Sequence, residues 1–244
     1  GFIDRIFRRS VAYTERAETR STAVAPAWLF VGAGIYLLLL IRGDGLLRDA
    51  DTFWQIKVGQ WIAAHHAVPF TDIYSFTRAG EPWISTSWLA QVLFAQAFDL
   101  GGWAGVVVLT ALAAAAALAL LAHVLCRFLP PLQVGVVICA VFALASPHLL
   151  ARPHVLAMPV MIAWASGLVS ASGRGGAPSP WLLALMIAWA NLHGGFVFGL
   201  ALIGAFALDA VWNAEAARRK RVVFGWALFG FAALVASCVT PYGW

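Results

Sequence analysis

Seven apolar stretches, most of them close to membrane length, follow one another along this chain with a single long interruption. They lie at roughly 26–41, 103–126, 131–146, 155–170, 181–192, 196–212 and 222–239. A helix crossing the hydrocarbon core needs about 20 apolar residues, because each residue advances it by only ~1.5 Å. Within a bilayer every backbone N–H and C=O must be satisfied inside the protein, so stretches of this kind fold as helices. The composition agrees: 11% of residues are charged, against about 25% in soluble domains, and mean hydropathy is +0.83. The expected fold is an all-α integral membrane protein of about seven transmembrane helices. A long first outer loop, residues 42–102, would carry short amphipathic helices at the interface.

Charge sets the expected orientation. The net charge of +5 would suggest a nucleic-acid partner in a soluble protein. Here it reads as the positive-inside bias of a membrane protein, and no nucleic-acid partner is expected. Residues 1–25 form a basic cytoplasmic segment with Arg5, Arg8, Arg9, Arg16 and Arg20. Phe2, Ile3, Ile6 and Phe7 recur there at the spacing of a helix lying on the membrane surface. Residues 26–244 make the polytopic domain. With the N-terminus inside, Arg127, Arg174 and the run Arg218 to Arg221 are also cytoplasmic, and Arg152 is left in a short outer loop.

The long loop holds four of the twelve tryptophans. Trp54, Val58, Trp61 and Ile62 form one apolar stripe of a first amphipathic helix, and Thr52 with Gln55 has capping-box spacing. Trp88, Leu89, Val92 and Leu93 line one side of a second, at about 85–98. The polar groups of four separate outer connections fall on one face: Asp49 and Asp51, Arg152 and His154, Asn191 and His193, and the Pro241-Tyr242-Gly243 turn. Their convergence predicts a single site. Asp49 and Asp51 serve as general base there, or help to hold a divalent metal, or merely cap a helix. Arg152 with His154 suits a phosphate group, or else Arg152 snorkels at a helix end. Asn191 to Gly195 is read either as part of the site or as a tight turn, and His65-His66 as loop surface. Cys126, Cys139 and Cys238 lack any metal or redox spacing and read as small apolar residues. No charged residue stands at the middle of an apolar stretch, which argues against an ion or proton pathway.

The run Asp49-Ala50-Asp51-Thr52-Phe53-Trp54, then Gly59, Ile62, Pro69, Asp72, Ser75-Phe76-Thr77, Gly80, Pro82-Trp83 and Trp88-Leu89, resembles the first outer loop of bacterial polytopic glycosyltransferases of superfamily C. These are relatives of the dolichyl-phosphate-mannose-protein mannosyltransferases. Arg152-Pro153-His154, Trp189 to Phe196 and Pro241 to Trp244 are similar to that group's later outer-face motifs. The resemblance implies transfer of a sugar from a polyprenyl-phosphate donor to an acceptor, at the periplasmic face of the bacterial inner membrane. It implies Asp51 or Asp49 as the base and Arg152, His154, His193, Asn191 and Trp54 against the substrate. Family members often carry His where this chain has Gln55, and His with an acidic residue around Thr86-Ser87. They also continue past the Pro-Tyr-Gly motif. These departures imply an alternative: a truncated or catalytically inactive relative, acting as structural or accessory subunit of a larger membrane protein complex.

Overall fold

A computed structural model of the chain describes residues 26–243. The expected surface helix within residues 1–25, and Trp244, lie outside the described residues. Nine α-helices follow in order among those residues: α1 Ala27–Ile41, α2 Gly43–Leu46, α3 Asp51–His65, α4 Trp88–Leu125, α5 Pro131–Ala145, α6 Pro153–Gly173, α7 Leu182–Leu192, α8 Phe196–Asn213 and α9 Ala216–Ser237. A 3-10 turn, Ser146–His148, continues α5. The described residues contain no β-strand, only an isolated antiparallel bridge between Thr71 and Pro82.

Five of these helical stretches are long and apolar enough to cross a membrane: Trp88–Leu125, Pro131–His148, Pro153–Gly173, Phe196–Asn213 and Ala216–Ser237. α1 and α7 are apolar but shorter. The outward faces carry Leu132, Val136, Leu144, Phe198, Leu208 and Phe231, all exposed. A surface so continuously apolar fits hydrocarbon rather than water around the bundle.

α4 is two helices in line. Gly102 interrupts it at φ 58°, ψ −146°, a backbone region that glycine enters without the clash a Cβ would make. The first part carries the polar residues Gln91 and Asp99, while the second is the alanine-rich run from Trp103 onward. That second part packs against α1 and α6, burying Ala111, Ala114, Ala115 and Leu118. α6, α8 and α9 close the core around Trp164, which is fully buried, donates its indole N–H to the Gly199 carbonyl at 3.0 Å and stacks on Phe229.

Both amphipathic helices form, but the expected stripes coincide only in part with the faces they bury. α3 buries Thr52, Gln55, Ile56, Val58, Gly59 and Ile62, leaving Trp54 37% exposed. The first part of α4 buries Ala90, Gln91, Phe94 and Ala95, with Trp88, Leu89, Val92 and Leu93 only partly covered. The reason is close approach. A Cβ on Gly59 would stand 2.0 Å from the Gln91 carbonyl oxygen, so the two helices meet through their smallest residues and turn several of their large ones aside. The expected Thr52–Gln55 capping box is absent as well. The buried Thr52 hydroxyl instead donates to the Ala151 carbonyl at 3.2 Å.

Candidate functional site at the loop end of the bundle

The loop after α1 and the connections before α6, before α8 and after α9 meet at one end of the helices. The Ala151 N–H donates to the Leu46 carbonyl at 2.8 Å, tying the loop before α3 to the start of α6. The Trp88 indole N–H donates to Asn191 Oδ1 at 2.6 Å. Asn191 Nδ2 donates in turn to the carbonyls of Ile187 at 2.7 Å and Val239 at 2.8 Å. The Tyr242 hydroxyl donates to the Pro69 carbonyl at 2.9 Å and accepts the Ser85 N–H at 3.1 Å, with its ring edge-on to Phe70. Residues far apart in sequence thus fasten the long loop from both sides.

At the centre of this end Arg152 reaches two carboxylates. Its Nε faces Asp49 Oδ2, and its Nη2 meets Asp51 Oδ2 at 2.5 Å. The Asp49 side chain is only 9% exposed and accepts the Asp51 N–H on Oδ1 at 2.9 Å, which starts α3. Asp49 therefore holds the N–H of the first α3 residue and the Arg152 guanidinium together. The Asp51 side chain is 51% exposed and that of Arg152 40%. Among the described residues, Oδ1 of Asp51 and Nη1 of Arg152 carry no hydrogen bond. Arg152 turns toward the carboxylates rather than snorkelling. Its extended backbone, immediately before Pro153 at the first position of α6, points the side chain across to α3.

His148 and His193 both lie close to His154, two residues past Arg152. His154 Nε2 lies 3.0 Å from the His148 carbonyl. A carbonyl only accepts, so Nε2 carries the proton and Nδ1 is left as an acceptor. The His193 ring lies 6.2 Å from that of His154, and its Nδ1 accepts the Gly195 N–H at 3.0 Å, which leaves Nε2–H as a donor. Burial, with the neighbouring His154 as a smaller cause, depresses the His193 pKa and favours its neutral form.

Not every expected site residue stands open. Asn191 is buried with its amide group spent on three partners, so it supports the scaffold instead of facing a substrate. Trp54 sits one turn beyond Asp51 on α3 and makes an edge contact with Trp83. His65 turns Nδ1 to the Trp61 carbonyl, and His66 adopts φ 50° where α3 ends. The pair is exposed, as the surface reading expected, but it ends a helix instead of lying in a loop. Among the described residues no group of three or more His, Cys, Asp or Glu side chains is gathered as a metal site, and Asp49 and Asp51 are engaged by Arg152. At the same end of the bundle a cavity of about 450 Å³, whose lining does not include the ion pair, is lined by Arg42, Asp44 and Arg48 together with Leu39, Phe142 and Leu149. The sequence shows Trp88 only as part of an apolar stripe and Tyr242 only as part of a turn; only their polar tips in an apolar setting hint at the hydrogen bonds they make.

Comparison of the chain with protein-family models, with curated proteins and with solved structures finds no match.

Proposed function

We propose that the chain is a seven-span protein of the bacterial inner membrane with a cytoplasmic N-terminus. In this reading α1 and α7 are the two short spans, and the Asp49–Arg152 end lies at the periplasmic face. α7 is sheltered by α6, α8 and α9, and a short helix at membrane depth is tolerated when protein surrounds it. The function proposed is that of the superfamily C glycosyltransferases the sequence resembles: transfer of a sugar from a polyprenyl-phosphate donor to an acceptor hydroxyl.

The observation that carries this reading is the Asp51–Arg152 pair, drawn from residues 101 apart in sequence and left with one open acceptor and one open donor. The acceptor hydroxyl would hydrogen-bond to Asp51 Oδ1 while Arg152 Nη1 holds a phosphate oxygen of the donor. The hydroxyl oxygen then bonds to the anomeric carbon as the bond from that carbon to the phosphate oxygen breaks. The electron pair of the broken bond stays on the lipid phosphate, and the hydroxyl proton passes to the Asp51 carboxylate. The cavity at the same end of the bundle, with Arg42 and Arg48 above apolar walls, suits a phosphate carried on a hydrocarbon chain.

The test is Asp51→Asn in lipid nanodiscs supplied with polyprenyl-phosphate sugars. The variant should fold and insert normally yet lose transfer by about a hundredfold or more, the scale of general-base loss. Orientation is tested separately by placing Cys at Thr77 after the native cysteines are replaced. An impermeant reagent should label it on spheroplasts without permeabilisation. The accessory-subunit reading draws on one observation of its own, that two carboxylates already neutralise Arg152. Absence of transfer by wild type, with co-purification of other membrane proteins in fixed ratio, would favour it.

A further inference from the structure

A second cavity, of about 380 Å³, opens in the long loop beside α3, lined by Trp54, Asp72, Tyr74, Ser75 and Trp83. Its walls are built, not draped. The Asp72 N–H donates to the Glu81 carbonyl and the Gly80 N–H to the Asp72 carbonyl, both at 2.8 Å, and the Trp83 N–H reaches the Phe70 carbonyl at 2.9 Å. These bonds close residues 70–83 into a tight hairpin-like turn. Asp72 Oδ1 accepts the N–H groups of Tyr74 at 2.9 Å and Ser75 at 2.8 Å. The Tyr74 hydroxyl is tethered to the Lys57 carbonyl at 2.9 Å, which fixes that ring against α3.

The aromatic geometry separates two ligand classes. A cage for a quaternary ammonium needs several ring faces turned toward one point. Here Trp54 and Trp83 are already in edge-to-face contact, with ring centres 6.0 Å apart and planes at 62°. The edge of one covers a face of the other, so nothing fits between them. What remains is exposed indole surface, two indole N–H groups without a hydrogen bond among the described residues, and a carboxylate that faces the cavity beside the Ser75 side chain. A pyranose ring matches that set: its C–H face seats on the negative face of an indole, and its hydroxyls can both donate to the carboxylate and accept from N–H. We propose that this cavity is a saccharide subsite, taking one hexopyranose unit stacked on the tryptophan corner with its hydroxyls on Asp72. Trp54 stands one helical turn from Asp51, so the bound unit belongs to the acceptor. The acceptor of the transfer reaction is thus itself a carbohydrate. The assignment to the acceptor rests on the transferase reading; the binding of a sugar does not.

Saturation-transfer NMR on the full chain in nanodiscs, with free glucose, galactose, mannose, N-acetylglucosamine and choline as probes, tests it. At least one hexopyranose should show transfer through its ring C–H protons. Trp54→Ala should weaken that binding about tenfold or more, the scale of a lost aromatic stack, and Asp72→Asn should weaken it by a smaller factor while keeping the loop's backbone hydrogen bonds. Binding that survives in a protein without transfer activity would sink the transferase reading and leave the subsite standing. Choline binding in place of every sugar overturns the proposal, and so does the absence of any sugar signal from folded wild type.

Discussion

Two polar clusters stand at the same end of the bundle, and they are built to opposite specifications. The Trp88–Asn191–Val239 knot is centred on one buried side chain, and Asn191 has its amide donors and its acceptor oxygen all engaged by protein. The Asp49–Arg152–Asp51 cluster is graded, from an Asp49 side chain 9% exposed to an Asp51 side chain 51% exposed, and it keeps a donor and an acceptor in reserve. A closed network gains stability from each partner and has no valence for a ligand. An open one contributes less to the fold because solvent screens its charges. The contrast teaches that polarity at a membrane surface marks a site only where hydrogen-bonding capacity is left over. By that criterion Asn191 holds the frame, and Asp51 with Arg152 faces the chemistry.

The comparison breaks first if the closed knot proves dispensable. Asn191→Leu keeps the volume but strands the Trp88 indole N–H and the Val239 carbonyl, each at about 1–3 kcal/mol when buried. Unfolding by SDS in mixed micelles should show a loss of roughly 3 kcal/mol. A change below about 0.5 kcal/mol, the range of ordinary surface substitutions, would mean that water or lipid replaces the knot freely.

The open cluster should respond less, and unevenly. Arg152→Gln leaves Asp49 as a largely buried carboxylate without its cation, which should cost about 1–2 kcal/mol, less than the 3–5 of a fully buried pair because the site is partly wet. Asp49→Asn in the same protein should recover most of that loss. Asp51→Asn should recover little, since its partner-facing oxygen is already hydrated. Equal recovery by both would show that exposure does not grade this cluster, and the contrast with the knot would blur.

How much of this end of the molecule was legible beforehand follows from the physics that each signal carries. The apolar run from Trp103 onward announced the second part of α4, and Gly102 just before it marks the bend. The Asp49–Asp51 spacing and the placement of Arg152 pointed to groups that do meet in space. The buried faces of α3 and α4 were only partly legible: periodicity found Val58 and Ile62 but follows large apolar residues, whereas close packing there also uses Gly59, Ala90 and Ala95. Asn191 carried the same sequence signal as an exposed site residue, because nothing local encodes that Trp88, 103 positions away, will take its oxygen. Long-range partners of this kind, Tyr242 on Pro69 included, are decided by tertiary packing.

The smallest expected effect lies between the two clusters, at His193, two residues past Asn191 and facing His154. Its half-buried ring favours the neutral form, so its folded pKa sits below the ordinary value of 6.5. In the unfolded chain the ring takes up a proton as pH falls through about 6.5, while the folded chain still resists it. The unfolded state then binds more protons, so stability declines from about pH 6.5 downward until the folded pKa is reached, and levels off below it. Asp72 is also depressed, by hydrogen bonds from Ser75 and Tyr74, but its effect belongs to a separate window below about pH 4. SDS unfolding between pH 7.5 and 5 should therefore show a shallow loss in wild type, well under that of Asn191→Leu, and His193→Gln should reduce it. Gln can still accept the Gly195 N–H through its side-chain oxygen but cannot titrate. Parallel profiles for wild type and His193→Gln would mean that the ring pays no desolvation cost, and that the open cluster's solvent extends to the edge of the closed one.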